Sequence, residues 1–217
     1  HNAEQFEIDL QQADAIALSH GHYDHSGGLD VALRLTPSDA PVYLHPDAFQ
    51  KKWSFSSEKP KPCGMPQKAR QALAYGGREV RYTPEVTDLG EGLFLTGEIP
   101  RRTTYEDTGG AFYLDDQKSE PDPLRDDQSL FYETPAGVVV VLGCAHAGVV
   151  NTLYHVQESV GKKAIRACIG GMHLLNADEA RLEETIQAFR DLEVKQLSAC
   201  HCTGARQTAV LWQRFPE

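Results

Sequence analysis

The sequence has no long apolar run, few cysteines and a deficit of basic charge. Its longest unbroken aliphatic stretch is Val138–Leu142. That falls far short of the ~20 apolar residues a bilayer-spanning helix needs, so no membrane span is expected. The five cysteines stand at wide spacings. An odd, irregular set excludes the disulfide framework of a small secreted domain, and a cytoplasmic setting is expected. Lys and Arg number 21 against 31 Asp and Glu, a net charge of -10. That balance argues against a general nucleic-acid surface. No internal repeat, low-complexity tract or targeting segment is visible, and residue 1 is His rather than Met. Hydrophobic residues make up 41% of the chain, alongside 18 glycines. That share is typical of globular proteins and excludes disorder as the main state. The length suits a single domain over residues 1–217.

Short apolar runs bounded by turn residues read as buried strands. They are Ala15–Leu18, Val42–Leu44, Val80–Tyr82, Leu93–Leu95, Ser129–Tyr132, Val138–Leu142, Ala164–Ile169 and Val194–Ala199. Val149, Leu153, Val156 and Val160 recur at helical spacing, with Gly161 as the stop. A second helix is expected over 178–192, with Leu182, Ile186 and Phe189 on one face and Asn176 and Glu179 forming a capping box. A third follows Gly204, with Ala205, Ala209 and Trp212 on one side. Strand and helix alternate most clearly after residue 137, which predicts an α/β layered fold. Two segments break the pattern. Residues 51–70 carry Lys51, Lys52, Lys59, Lys61, Lys68 and Arg70 against Glu58, and read as an irregular, lid-like loop. Residues 115–127 carry six acids, among them Asp122, Asp126 and Asp127, and read as a plain surface loop.

The densest chemistry lies in Ser19-His20-Gly21-His22-Tyr23-Asp24-His25-Ser26-Gly27-Gly28, directly after the first strong strand. Imidazole and carboxylate are the ligands that zinc, iron and manganese take. Glycines let one tight loop turn all four side chains toward a point. Three more strands run into Gly143-Cys144-Ala145-His146, Gly170-Gly171-Met172-His173 and Cys200-His201-Cys202-Thr203-Gly204. Ligands in α/β sheets gather at the carboxyl ends of strands, so these ends are expected to converge. His20, His22 and His146 would hold one ion, and Asp24, His25 and His201 a second. Two ions ~3.5–4 Å apart can activate a water and clamp a phosphoryl or acyl oxygen. His173 is expected to carry a proton or contact substrate. His45 and His155 lack this context, His155 reads as a surface residue, and His1 is given no role. Alternate residues at a strand end face opposite ways, so the cysteines beside His146 and His201 are expected to be buried and structural.

The run His20-Gly21-His22-Tyr23-Asp24-His25 resembles the H-x-H-x-D-H signature of the metallo-β-lactamase superfamily. Cys144-Ala145-His146 and Cys200-His201-Cys202 resemble its third and fifth metal motifs. Together with Asp126-Asp127-Gln128-Ser129-Leu130, Gly148-Val149-Val150-Asn151 and Gly170-Gly171-Met172-His173-Leu174, they resemble the subfamily of ribofuranosylaminobenzene phosphate synthase-like proteins. The likeness runs from about residue 2 to 215. It implies an αββα four-layer sandwich with a dinuclear site at one edge. It also implies strands before residue 20 and after the last helix, so the chain is expected to be a fragment with an exposed sheet edge. Pairing into a homodimer through that edge is left open. The superfamily's usual bridging aspartate has no counterpart in Ile169–His173, which opens the prospect of one tight and one labile metal. Redox members of the superfamily place a glutamate where His22 stands, so the resemblance favours hydrolysis or group transfer.

The leading expectation is a metal-dependent hydrolase that uses a metal-bound hydroxide on a small, anionic or phosphorylated molecule. Two divalent ions are expected, zinc first, with manganese or iron as alternatives. Asp24 and His173 are the catalytic candidates, and Lys51 and Lys52 are expected to steer the substrate. Arg101 and Arg102 read equally well as substrate contacts and as solvated charges. A pterin-pathway synthase and a non-catalytic metal-binding or sensor protein are the rival readings.

Overall fold

The computed structural model describes residues 2–215, and His1 lies outside that range. The chain begins with α1 (Asn2–Gln5), β1 (Ile16–Ala17), α2 (Tyr23–Ser26), α3 (Leu29–Leu35), β2 (Val42–Leu44), β3 (Trp53–Ser54), β4 (Lys61–Pro62), α4 (Gln67–Tyr75) and β5 (Val80–Tyr82). It continues with β6 (Thr87–Gly90), β7 (Leu93–Leu95), β8 (Phe112–Tyr113), β9 (Leu130–Thr134), β10 (Gly137–Leu142), α5 (Val149–Ser159), β11 (Ile165–Gly171), α6 (Glu179–Asp191), β12 (Gln196–Cys200) and α7 (Ala205–Arg214). The fold is α/β, as the alternation after residue 137 predicts.

A three-stranded parallel sheet has the order β1-β2-β5, with α3 and α4 as its crossovers. A six-stranded mixed sheet has the order β12-β11-β10-β9-β7-β6. The valine run of β10 sits at its centre, antiparallel to β9 and parallel to β11. A small antiparallel sheet, β4-β3-β8, stands apart from both.

Each large sheet buries one face under helices. Leu29 of α3 and Ala69 and Leu73 of α4 pack on Val42 and Leu44 of β2. Val149, Leu153 and Val156 of α5 and Ile186 and Phe189 of α6 pack on Val138, Val140, Ile165 and Cys168. All four residues of the predicted α5 stripe are buried. Burying a side chain of this size contributes roughly 1.5–3 kcal/mol. The opposite faces of the two sheets look at each other. Ala17 of the first and Leu95, Leu130 and Val141 of the second line a cavity of about 360 Å³ between them. The layer order is therefore helix, sheet, sheet, helix. No described helix is long and apolar enough to cross a membrane.

Several local expectations change. The 51–70 segment is an anchored hairpin and helix rather than an irregular loop. β3 pairs β4, Cys63 N–H donates to the Lys52 carbonyl, and the Arg70 guanidinium donates to the carbonyls of Phe49, Gln50 and Met65. Its tip, residues 56–59, is exposed, while Lys52, Cys63, Met65 and Ala69 are buried. The α6 cap is Asp178, whose carboxylate accepts from Arg181 N–H, and not Asn176. In α7 the buried residues are Gln207 and Leu211, while Ala205, Ala209 and Trp212 face solvent. The helix buries Gln207 and Leu211 against the body, so packing rather than the predicted stripe sets its inward face.

Candidate metal centre

The first motif turns sharply after β1. Gly21 is required there, because a Cβ would lie 2.3 Å from the Ala48 carbonyl oxygen. The next two motifs follow β10 and β12, and His173 follows β11. These three strands are parallel neighbours, so their carboxyl ends lie side by side. After each strand a non-glycine residue takes a left-handed backbone: Ala145 at φ 55°, His173 at 45° and His201 at 53°. Such conformations are costly and cluster at functional sites, where the surrounding structure holds them.

The imidazoles converge. The ring of His20 lies 4.7 Å from His22, 4.2 Å from His25 and 4.9 Å from His146, centroid to centroid. His20 Nε2 approaches His22 Nδ1 at 3.0 Å, and His25 Nε2 approaches His201 Nε2 at 3.2 Å. Two nitrogens bound to one tetrahedral zinc stand about 3.3 Å apart. Asp24 Oδ2 lies 3.7 Å from His25 Nε2 and 3.8 Å from His201 Nε2. The structure thus brings together His20, His22 and His146, and beside them Asp24, His25 and His201. The first set is buried, whereas Asp24 and His201 are open to solvent.

The surroundings orient these rings. The Ser19 hydroxyl sits 3.1 Å from Nδ1 of both His20 and His25. His146 Nδ1 donates to the Thr108 carbonyl at 2.8 Å, and its Nε2 is buried without a protein partner. Burial, and then neighbouring imidazoles, hold His20 and His146 well below the ordinary histidine range. Burial first and the Lys52 charge second lower His22 to about 4. Burial also lowers His25, against the pull of Asp24. Neutral imidazoles with free lone pairs are the ligating form, so the donor set fits divalent cations.

His173 lies beside the cluster. Its ring is 4.2 Å from that of His146, and its Nδ1 is buried and unpartnered. Burial, and next the Arg181 charge, lower it to about 4. Gly109, at φ 76°, passes so close that a Cβ would lie 1.9 Å from His173 Nδ1. Phe112, which sequence reasoning missed, walls the site at 4.8 Å from His22 and 5.3 Å from His146.

Lys52 does not stand where a steering cation was expected. Its ammonium is buried, donating to Asp122 at 2.9 Å and Asp126 at 2.8 Å. Lys51 is exposed, beside Trp53, Pro62 and Arg70 on a separate cavity of about 430 Å³. The acidic 122–127 stretch is not a plain surface loop. Asp126 accepts from Gly21 N–H at 2.7 Å, and Asp127 accepts from Ala147 N–H at 2.8 Å. Gln128 donates its side-chain amide to the Leu18 carbonyl. One buried segment therefore braces the first and third motifs. Its sequence signal was the acidic pair standing immediately before an apolar strand. Arg101 donates to the His146 carbonyl at 2.7 Å, and Arg102 pairs with Glu158. His45 is buried as the cap of a short 3-10 turn, and His155 is half-buried against the Thr96 carbonyl. Cysteine orientation also departs from alternation. Cys200 is exposed, Cys202 is half-buried, and buried Cys144 turns its sulfur toward His25. The alternation rule needs extended backbone, and the chain leaves it at Ala145 and His201.

Comparisons with known proteins agree with this geometry. A family model described as the metallo-beta-lactamase superfamily matches residues 2–156. A 7,8-dihydropterin-6-methyl-4-(beta-D-ribofuranosyl)-aminobenzene-5'-phosphate synthase of Methanocaldococcus jannaschii is 29% identical, over 100% of this chain and 75% of its own length. An uncharacterized protein of the same organism is 27% identical over 92% of this chain and 73% of its own. A crystal structure described as a metal-dependent hydrolase of the beta-lactamase superfamily superposes with a TM-score of 0.83 at 30% identity. It covers 99% of this chain and 77% of that one. A family match over more than two thirds of the residues, carried on this fold and these strand ends, makes the chain a member of the metallo-β-lactamase superfamily.

Proposed function

We propose that the chain is a metal-dependent hydrolase of a small, anionic substrate. His20, His22 and His146 would hold one divalent ion, and Asp24, His25 and His201 a second. The observation that carries this reading is the convergence of five imidazoles from three strand ends, with His146 Nε2 buried and unpartnered among the described residues. Ions held there supply Lewis-acid polarisation and water activation at neutral pH.

The chain's own residues do the rest. Ser19 and Thr108 fix the ring orientations of His20, His25 and His146. Phe112 keeps water from the buried side, so a substrate enters where Asp24 and His201 are exposed. His173 Nδ1 is placed to accept or return a proton beside His146. The difference in burial supports a tight first ion and a labile second one. Zinc is the first choice of metal for a histidine-dominated set.

The test is metal analysis of the purified chain, followed by assays on phosphodiester, phosphomonoester, thioester and lactone panels with zinc or manganese. About two ions per chain and turnover on one panel are expected. Inertness on every panel with both sites filled would sink the hydrolase reading. The match to the methanogen synthase, over all of this chain and 75% of the synthase, favours a second reading, a transferase or synthase in pterin biosynthesis. Incubation with aminobenzoate and phosphoribosyl substrates, read by product mass spectrometry, separates the two.

A further inference from the structure

Cys144 Sγ lies 3.2 Å from His25 Nε2. One ligand atom from each of His20, Cys144 and His146 lies within 4.8 Å of the other two, and the same holds for His25, Cys144 and His201. Cys144 is the residue common to both groups. A sulfur and a nitrogen on one tetrahedral zinc stand about 3.6 Å apart, given bonds of ~2.3 and ~2.0 Å. The 3.2 Å approach of Cys144 Sγ to His25 Nε2 suits joint coordination, and the other ligand atoms stand within 4.8 Å of one another.

The geometry points to Cys144 as a thiolate ligand shared by the two metal positions. The inference rests on the metal-centre reading above and adds a ligand to it. Three observations argue for it. Neither of the two groups contains a carboxylate, and Cys144 is the side chain that stands in both. His146, 1% exposed and a member of the Cys144 group, has its Nε2 unpartnered among the described residues, so that lone pair is available to a cation. Finally, the turn at Ala145, with φ 55°, carries Cys144 and His146 into one site although they are two residues apart. A buried thiolate without a counter-charge is costly, whereas one between two cations is compensated. Asp24 and one thiolate leave two divalent ions with a surplus of two positive charges, which suits an anionic substrate. A soft sulfur ligand also selects zinc over manganese. Cys202 is the rival sulfur, because its thiol lies close enough to donate to the Cys144 carbonyl at 3.5 Å.

The test loads the whole chain with cobalt(II) and reads the near-ultraviolet thiolate-to-metal charge-transfer band together with the visible ligand-field bands. The wild type is expected to show both. Cys144→Ser should abolish the charge-transfer band and weaken cobalt binding about tenfold or more, by analogy with outer-shell losses of that size. The double variant Cys200→Ser/Cys202→Ser should keep the band, and it decides the matter even where Cys144→Ser fails to fold. Cadmium NMR of the wild type should likewise place the ion in the sulfur-ligated range. Cobalt binding with no charge-transfer band overturns this inference and leaves the metal centre standing. A band lost with Cys202 and kept without Cys144 also overturns it. Failure to bind cobalt at all overturns the metal-centre reading together with it.

Discussion

At the residue scale, the molecule spends its buried charges on positioning. Lys52 is 2% exposed and links Asp122 to Asp126, and Asp126 in turn holds Gly21 of the first motif. Lys52→Met would leave two carboxylates buried without their cation. It should destabilise the protein by about 3–5 kcal/mol, measured by urea unfolding. A loss within error of zero would show that water reaches the pair. Glu106 is the second such group. Its carboxylate accepts from Val150 N–H, Asn151 N–H and the Thr103 hydroxyl at the start of α5. Burial raises its pKa above the ordinary 4.5, against those hydrogen bonds and the Arg181 charge, and Arg101 also faces it. With the folded value raised, the folded state holds more protons between that value and 4.5, so stability rises as pH falls through this window. Parallel unfolding of wild type and Glu106→Gln should show their difference shifting toward the wild type as pH drops from neutral. A shift the other way contradicts the sign. The site histidines were legible in the sequence because ligands so dense have no bland explanation. Lys52 and Glu106 were not, because their burial is set with partners 70 and 44 positions away.

At the element scale, strand ends carry the site and glycines make room for it. The position and type of β2, β5, β7 and β10 and of α5 and α6 follow from local periodicity. The β3–β4 hairpin and α4 do not, because their stretch mixes lysines and prolines without a clear apolar stripe. The hairpin is held by its pairing with β8, a segment some sixty residues on. The loop before β8 carries Gly109 against His173. Gly109→Ala would add left-handed strain of about 1–2 kcal/mol and a clash at 1.9 Å with the His173 ring. The expected outcome is a lower melting temperature and faster modification of His173 by an imidazole-selective acylating reagent. An unchanged modification rate would show that the loop yields instead of the ring.

At the scale of the whole molecule, the site is a joint between two halves. His20, His22, Asp24 and His25 come from the sheet β1-β2-β5, and His146 and His201 from the six-stranded sheet. Between the sheets lies the cavity of about 360 Å³ lined by Ala17, Leu95 and Val141, so apolar contact alone leaves the joint partly open. Ions bound across it should add stability by mass action, about 2.7 kcal/mol at a hundredfold excess over the dissociation constant. Thermal unfolding with zinc should therefore move upward with zinc concentration and fall on chelation. A melting temperature indifferent to both would mean that the two ligand sets are not bridged.

The sequence by itself determined the chemistry on offer. Four histidine-bearing strand ends, the α/β alternation and the superfamily signature are local patterns, written in spacing and hydropathy. The tertiary structure decided which of those groups meet and which merely support them. It buried Lys52 and the 122–128 brace, exposed Trp212 and turned Cys144 inward. The physical reason is that burial and side-chain direction depend on contacts between distant segments and on three left-handed residues after parallel strands, none of which leaves a periodic trace in the chain.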